Sequence, residues 1–335
     1  MNPTTPAASP TDTVPTVRGP VALDDLGPVL THEHLFVRNS EIHDNFPSLW
    51  AEEAEVRRAA QRLERAYAHG VRTVVDMTVL GQGRNLRLVE RVAGRTRVNI
   101  VVATGLYVLD GLPQIFRYRG PGAPLDGPEP IIDLLEADIT VGVAGTDIRA
   151  ALVKFACESD EADPVTRRLA AAVAEVHRRT GVPVVVHTDP SGRSAMTACD
   201  LLSDLGVPLE HVVLAHVGDI TDAVLLGELA MTGAFIGCDR LGMAALGTDE
   251  QRIATMAKLI ADGHLTQLLP SHDCASYLDH ITAEQRAFLY PDWDYSHLHV
   301  RIIPALRTHG FGDKEIAVML EDNPKRLLAK IISDR

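Results

Sequence analysis

Short apolar runs alternate along the chain with longer segments of helical periodicity. Several of the short runs are apolar throughout rather than alternating, as expected for parallel strands that are buried on both faces. The pattern predicts eight strands, at residues 28–32, 71–78, 98–107, 151–158, 182–189, 211–219, 234–240 and 267–273.

The segments between these strands carry helix signals. Residues 48–70 place apolar side chains on one face and end on Gly70, and residues 163–181 begin with an Asp-Pro pair and end on Gly181. Residues 249–263 and 296–310 behave similarly. Eight strand–helix repeats predict a (β/α)8 TIM barrel, preceded by a short N-terminal β-hairpin. A doubly wound open sheet is the competing fold, but no glycine-rich phosphate turn follows the first strand.

The first 15 residues are rich in Pro, Thr, Ser and Ala, and they lack the basic and apolar regions of a secretory signal. We therefore expect a disordered tail over residues 1–15 and a single barrel domain over residues 16–335. No stretch approaches the roughly 20 apolar residues that a membrane span requires. The expected location is cytoplasmic, with no membrane partner.

Composition narrows the partners further. The chain has 32 basic and 45 acidic residues, a net charge of −13, which argues against a nucleic-acid or anionic-membrane surface. The four cysteines form no CxxC pair, so a structural zinc knuckle or disulfide framework is not expected. Three of them are interpreted as small buried hydrophobes. Cys274 directly follows Asp273 and is a candidate for the substrate pocket.

A barrel places its catalytic residues at the carboxyl ends of the strands. His32 and His34 close the first predicted strand and project the same way, so they can chelate one cation, whereas Glu33 is interpreted as structural. His187 and His216 follow the apolar runs of adjacent strands. Each alone is better explained as a hydrogen-bonded core residue, but together, at the same height on adjacent strands, they face the first pair.

Asp273 ends the eighth predicted strand, where a buried carboxylate needs a partner. Beside a cation it can be a ligand and also accept a proton from water. Lys154 lies in an otherwise apolar strand, where an unpaired lysine is costly and tends to lose its charge. A neutral amine can react with CO2 to give a carbamate that could bridge two metals. The alternatives are a side chain that reaches the rim or an ion pair with Glu158 or Asp273.

Taken together, these motifs resemble the phosphotriesterase family of the amidohydrolase superfamily, most closely its phosphotriesterase-like lactonases. The resemblance covers nearly the whole chain after the tail and rests on TVRGPV, GPVLTHEHLF, VKFACE, VVVHT, LAHVGD, IGCDRLG, LPSHD and DNPKRLL. It implies a binuclear site in which His32, His34 and Asp273 hold the more buried metal and His187 and His216 the more exposed one. Carboxylated Lys154 and a hydroxide would bridge them. Zinc is the first expectation, and cobalt, manganese or iron also suit these ligands.

The resemblance also implies a mechanism, in which the hydroxide attacks a carbonyl or phosphoryl group and Asp273 takes its proton. Tyr107 and Arg240 would line the substrate pocket, and Cys274 and Tyr277 are further candidates for it. Leu109 stands where many lactonases of this group carry a second tyrosine, which weakens any prediction of the preferred lactone. The long loop over residues 274–293 would form a lid that receives an acyl chain.

The expected function is that of a lactonase, including acyl-homoserine lactones, with side activity on organophosphate triesters and aryl esters. A second hypothesis is another carboxylic ester or amide hydrolase on the same site. A mononuclear deaminase is disfavoured because it does not need the lysine of the fourth strand. Outside catalysis, the chain could be a structural metal-binding barrel, although structural sites are normally closed by protein ligands. A homodimer is expected from the resemblance alone.

Overall fold

The computed structural model describes residues 13–108 and 111–329. Its strands are β1 Thr13–Val14, β2 Val21–Ala22, β3 Val29–Val37, β4 Thr73–Asp76, β5 Asn99–Leu106, β6 Leu152–Cys157, β7 Val184–Thr188, β8 Val212–Ala215, β9 Phe235–Cys238, β10 Leu268–Pro270 and β11 Cys274–Leu278.

The strands are surrounded by helices. These are α1 Ser40–Asn45, α2 Glu52–Ala68, α3 Leu86–Ala93, α4 Gln114–Tyr118, α5 Pro130–Thr140, α6 Pro164–Thr180, α7 Ser194–Asp204, α8 Ala223–Met231, α9 Asp249–Ala261, α10 Ala283–Leu289, α11 Ile303–Thr308, α12 Asp313–Ala317 and α13 Asn323–Leu328. Two π-helical turns precede α11 and α13. None of the helices within the described ranges is long and apolar enough to cross a membrane.

Strands β3 to β11 form one parallel sheet in the order β10-β9-β8-β7-β6-β5-β4-β3-β11. The two outermost strands, β10 and β11, follow one another along the chain. Leu268–Pro270 pair with β9, whereas Cys274–Leu278 pair with β3. They are therefore two halves of one eighth strand that bonds to a neighbour on each side, and the sheet closes. The predicted (β/α)8 barrel is confirmed, and the open sheet is excluded.

Three predicted boundaries are wrong. The first barrel strand continues to Val37, so His32 and His34 lie inside it rather than at its end. The eighth strand resumes at Cys274, so the predicted lid loop begins as a strand. The N-terminal hairpin pairs Thr13 with Ala22, so a strand lies inside the predicted tail. The rest of that tail, residues 1–12, lies outside the described residues, as does Leu109.

Side chains alternate between two apolar layers. In β7, Val184 and Val186 pack outward against the helices, whereas Val185 packs inside the barrel. The same alternation directs His187 inward at the carboxyl end of the strand. In β6, Leu152 lies inside the barrel, and Lys154, two residues further on, has the same orientation. The period of two along each strand therefore selects which polar side chains enter the barrel mouth.

The helix signals explain the outer layer. The side chain of Asp163 accepts a hydrogen bond from the backbone N–H of Thr166 and caps α6. Gly181 ends that helix in the left-handed conformation, with φ of 71°, as its position in the sequence predicts. Helix α6 packs against β6 and positions the strand that carries Lys154.

A buried carboxylate supports the break between β10 and β11. Oε1 of Glu33 accepts hydrogen bonds from the hydroxyl of Ser271 at 2.8 Å and from the backbone N–H of His272 at 3.1 Å. Oε2 accepts one from the backbone N–H of Cys274 at 2.9 Å. The imidazole Nδ1 of His272 lies 2.6 Å from Oε1. Glu33 thus has the structural role that the sequence indicated, and it holds the turn that carries Asp273.

We predict that Glu33→Ala lowers the free energy of unfolding by about 3 kcal/mol or more, because it leaves several buried donors without an acceptor. Urea unfolding followed by circular dichroism measures the change. Glu161→Ala is the matched control, since Glu161 is exposed, and we expect it to differ from the parent by less than about 0.5 kcal/mol. A loss as small as the control's for Glu33→Ala would contradict this role.

Candidate metal centre

Six side chains meet at the carboxyl ends of the barrel strands. They come from β3, β6 and β7, from the residue after β8 and from the turn between β10 and β11. The set consists of His32, His34, Lys154, His187, His216 and Asp273. The two histidines of β3, Lys154 and His216 are at most 4% exposed, and His187 is 9% exposed. The Asp273 side chain, at 17%, is the most accessible of the six. The structure therefore brings together every residue that the sequence predicted for this site.

The first group of donors is formed by His32, His34 and Asp273. Oδ1 of Asp273 lies 3.2 Å from Nε2 of His34 and 3.5 Å from Nε2 of His32. All three ligand atoms lie within 4.8 Å of one another, close enough to hold a single ion. Asp273 reaches this position with φ of 50°, in the left-handed region that few residues other than glycine adopt.

The second group of candidate ligands comes from β7 and from the residue that follows β8. Nε2 of His216 is 2.8 Å from Nδ1 of His187, so the two rings direct nitrogens at each other. Such close nitrogens suit a shared cation or a shared proton. His216 also has a left-handed backbone, with φ of 72°. The chain thus accepts strained backbone at two of its donors, as is common where function fixes the geometry.

Lys154 lies beside the first group. Its Nζ is 3.4 Å from Nε2 of His32 and 3.4 Å from the carbonyl oxygen of Met77. The residue is 1% exposed, and no carboxylate of the described residues lies within 4.0 Å of its amine. Burial lowers the pKa of Lys154 to about 8. The alternatives of an amine at the rim, or paired with Glu158 or Asp273, are therefore not observed.

Sequence reasoning missed Asp239, which directly follows β9. Its Oδ1 lies 2.9 Å from Nδ1 of His216, and its Oδ2 lies 2.9 Å from Nδ1 of His32. One carboxylate thus faces the inner nitrogens of both rings, while their Nε2 atoms point into the mouth. Carboxylates in this position fix the tautomer and orientation of metal-binding histidines. The signal was present in IGCDRLG, where an aspartate ends a buried strand beside Arg240.

A second missed group orients His34. The hydroxyl of Thr78 lies 2.8 Å from Nδ1 of His34 and donates to Oδ1 of Asp76 at 2.6 Å. Burial raises the pKa of Asp76 to about 6. Both residues end the second predicted strand in VVDMT, so their position alone could have placed them near the mouth.

Burial also sets the charge of the donors. It lowers the pKa of His34 to about 4 and of His216 to about 3, and it lowers the pKa of His187. These imidazoles are therefore neutral at pH 7, the form that offers a lone pair to a metal. Burial opposes ionisation of Asp273, but the hydrogen bond and charges of nearby histidines hold its pKa well below the usual range. Neutral imidazoles and an ionised carboxylate together form a donor set that fits a divalent transition metal.

A cavity of about 380 Å³ opens beside these donors. Tyr107 enters it, with its hydroxyl 3.5 Å from Nε2 of His187. Arg240 lies close behind, its Nε 4.0 Å from Oδ2 of Asp273 and its side chain 15% exposed. The cavity is lined by His34, Val37, Arg38, Asn39, Gly81, Gln82, Tyr107, Lys154, His187, Met243, Asp273, Ala275, Leu278, Asp279, His280 and Trp293.

Of the four predicted pocket residues, only Tyr107 lines this cavity among the described residues, and Arg240, Cys274 and Tyr277 do not. Cys274 is fully buried, and its sulfur lies 3.3 Å from Nη2 of Arg286, on the opposite face of β11 from Ala275. Tyr277 packs edge-on against Trp50, at 5.0 Å between ring centroids, and lines a separate outer cavity of about 560 Å³. Strand formation at Cys274–Leu278 explains the position of Cys274, because pairing with β3 places its side chain on the face opposite Ala275, which lines the cavity.

The predicted lid contributes little of its apolar surface to the cavity. Leu278 and Trp293 line it, and the indole N–H of Trp293 donates to the carbonyl oxygen of His272 at 2.7 Å. Phe288 is 85% exposed and Leu289 37% exposed, and neither lines the cavity. Three residues, Leu278, Asp279 and His280, line both the inner and the outer cavity.

Comparison with known proteins identifies the class to which this fold and site belong. Residues 12–328 match the Phosphotriesterase family, and the chain belongs to that family of hydrolases. It is 40% identical to a phosphotriesterase homology protein of Mycobacterium tuberculosis, over 94% of this chain and 97% of that protein. It is 31% identical to an aryldialkylphosphatase of Saccharolobus solfataricus, over 91% and 96% of the two chains.

More distant and structural comparisons agree. An N-acetyltaurine hydrolase of Dictyostelium discoideum is 27% identical, over 86% of this chain and 76% of that protein. The solved structure of the phosphotriesterase from Mycobacterium tuberculosis superposes with a TM-score of 0.92 at 40% identity, covering 95% of this chain and 98% of that chain. The resemblance that the motifs indicated is confirmed. The chain is a hydrolase with a set of metal-binding side chains.

We predict that Asp239→Asn weakens divalent-metal affinity by about 10- to 100-fold, because an amide cannot accept hydrogen bonds from both imidazoles as the carboxylate does. Competition with a chromogenic chelator measures the affinity. Asp200→Asn, at an exposed position of α7, should bind metal as tightly as the parent. Unchanged affinity in Asp239→Asn would show that the two rings are held by other contacts.

Proposed function

We propose that this chain is a binuclear metal-dependent lactonase, including activity on acyl-homoserine lactones, with side activity on organophosphate triesters and aryl esters. His32, His34 and Asp273 would hold one divalent ion, and His187 and His216 the other. Zinc is the expected metal, with cobalt, manganese or iron as alternatives. When bound, the ions would polarise the substrate and lower the pKa of water.

The observation that carries the proposal is the buried, unpaired amine of Lys154. Its Nζ lies 3.4 Å from a nitrogen of the first donor group, and burial lowers its pKa to about 8, so roughly a tenth of the amine is neutral at pH 7. A neutral amine can add CO2 and release a proton, and the resulting carbamate would share one negative charge between two oxygens, each of which could serve one ion. Carboxylation would also replace the positive charge of Lys154 with a negative one, which favours the binding of two metal cations in the same site. A lysine at this position thus favours a binuclear site over a mononuclear one.

Two side chains are placed to act on the substrate directly. Asp273 is ionised and, at 17% exposure, is the accessible carboxylate of the site, so it can accept a proton and release it outward. Burial raises the pKa of Tyr107 to about 12, so its hydroxyl stays protonated and can donate a hydrogen bond to a substrate oxygen. Arg240 is close enough to Asp273 to stabilise its anionic form.

The shape of the cavity favours an acyl substrate. Val37, Met243, Leu278 and Trp293 provide apolar surface beside the metal donors, and such surface can receive a hydrocarbon chain. The relative named aryldialkylphosphatase supports a side activity on triesters. Cytoplasmic location, a homodimer, and the absence of nucleic-acid and membrane partners belong to the same proposal and rest on composition and family resemblance.

An amide hydrolase is the second candidate. Several relatives, at 25 to 27% identity, are named N-acetyltaurine hydrolase, and that substrate is an amide. The same donors could serve amide cleavage, since the attack on the carbonyl is the same and only the leaving group differs. The identities to these proteins are lower than the 31% found for the aryldialkylphosphatase.

We predict that Lys154→Ala reduces turnover by at least about 1,000-fold and lowers the metal content below about two equivalents per chain, because the bridge between the ions is lost. Metal analysis and steady-state kinetics measure both effects. Lys258→Ala, at an exposed lysine, should retain both properties. Retention of metal and activity in Lys154→Ala would reject the carbamate bridge.

The substrate class is tested by kinetics on γ- and δ-lactones, acyl-homoserine lactones, aryl esters, N-acetyl amides and paraoxon-like triesters with the zinc-loaded enzyme. We expect kcat/KM to be highest for the lactones and to rise with acyl length as the chain covers the apolar wall, by up to about tenfold for two added methylenes. A preference for amides over lactones would replace the lactonase by the second candidate and leave the metal centre intact.

A further inference from the structure

We propose that Arg38 is a recognition site for an anionic group, a carboxylate, sulfonate or phosphate, at the end of the substrate that lies away from the metal centre. The inference deepens the proposed function, because it rests on hydrolysis at the same cavity. It narrows the proposed substrates to acyl compounds, lactones and esters among them, that carry an acidic substituent. It comes from the charges of the cavity wall and not from the metal donors.

Arg38 is a buried cation without a hydrogen-bonded counterion. The residue is 7% exposed, and it lines the cavity beside the metal centre. Its guanidinium carries five N–H donors, yet within residues 13–108 and 111–329 none of them makes a hydrogen bond, and the buried Nε has no partner at all. A buried N–H without an acceptor is costly, and an oxygen of a ligand in the cavity could satisfy the Nε of Arg38 together with its terminal nitrogens.

The neighbouring carboxylates do not fill this role. Oδ1 of Asp44 lies 4.0 Å from Nη2 of Arg38, but the Asp44 side chain is 72% exposed, so water screens the pair. Asp279 also lines the cavity, but its Oδ2 accepts a hydrogen bond from the backbone N–H of Asn39 and lies 3.5 Å from Nε2 of His43. Both acids are therefore used elsewhere or are weak partners.

The position of Arg38 suits a distal group. It follows His34 by four residues, and an extended chain rises about 3.3 Å per residue, so their α-carbons are about 13 Å apart. The guanidinium lies 5.3 Å from the ring centroid of Trp50, and this contact holds it in place. A substrate whose carbonyl lies at the metal donors could therefore extend an acidic group to Arg38 along the apolar wall.

The chemistry of the site selects the ligand. Guanidinium groups bind carboxylate, sulfonate and phosphate through paired N–H donors, and such charge-assisted bonds are stronger than neutral ones. A neutral ligand would displace water from the cavity without providing a counterion for the guanidinium of Arg38. The site therefore discriminates by charge, since a neutral substrate of equal length loses the ion pair and gains nothing in its place.

The test compares matched substrates that differ in one carboxylate. The 4-nitrophenyl monoesters of succinate, glutarate and adipate are compared with 4-nitrophenyl propionate, butyrate and pentanoate on the zinc-loaded enzyme. For the pair of best length, we expect kcat/KM to favour the anionic ester by about tenfold or more. In Arg38→Met, which keeps an apolar side chain against Trp50, that ratio should fall by about 10- to 100-fold.

Control variants separate recognition from folding. Arg38→Lys keeps the charge without the fork of donors and should keep part of the preference. Arg57→Met, at a residue whose side chain is 59% exposed, should show the ratio of the parent. A parent that does not favour the anionic esters would overturn the proposal. So would an Arg38→Met variant in which both esters lose activity equally, since that result indicates a structural role alone.

Binding gives a second readout that needs no turnover. Calorimetry on the zinc-loaded protein compares glutarate and adipate with butyrate and pentanoate, and we expect the diacids to bind about tenfold more tightly in the parent and equally in Arg38→Met. Equal binding in the parent would overturn the inference. If neutral lactones are not hydrolysed but the charge preference is present, the lactonase assignment fails while the role of Arg38 stands. If lactones are hydrolysed without a charge preference, the role of Arg38 fails while the lactonase assignment stands.

Discussion

The carboxylate of Glu33 accepts hydrogen bonds from Ser271, His272 and Cys274, which surround the break in the eighth strand. This contact links the first strand of the barrel to the last, beside the backbone pairing of β11 with β3 that closes the sheet. The same break lifts Asp273 out of the strand and into the mouth with a left-handed backbone. The turn that places Asp273, the most accessible of the six candidate ligands, therefore depends on a single buried acid.

Asp239 has a similar role at the candidate metal centre, because its carboxylate also contacts residues within or directly after two different strands. It faces the Nδ1 atoms of His32 and His216, so the orientation of donors in both groups depends on one carboxylate. Burial lowers the pKa of His216 enough to keep it neutral, whereas the neighbouring imidazoles hold the pKa of Asp239 well below its usual range and keep it ionised. The centre is thus organised for cations before any ion arrives, and the cost of burying its polar groups is offset within the protein.

The apolar pattern of the strands and the positions of polar residues relative to them explain which features could be predicted from the sequence. The apolar runs located eight strands to within a few residues, and the polar side chains within or after them included all six residues that the fold brings together at the mouth. Cys274 and Tyr277 were assigned wrongly because sequence order alone does not reveal that the eighth strand resumes after Asp273. Asp239 was overlooked because an acid beside a charged neighbour resembles an ordinary loop residue. Hydrogen-bond partners that are distant in sequence decide such cases.

The two cavities share a wall, which is formed by three consecutive residues that line both of them, Leu278, Asp279 and His280. The outer cavity contains none of the metal donors, yet any change in its volume pushes on the back of this wall. Substitutions that do not contact the substrate could therefore change which substrates the enzyme accepts, while the six candidate metal ligands stay the same. Libraries for laboratory evolution of this enzyme could therefore be directed at the outer face of this wall, away from the candidate metal ligands.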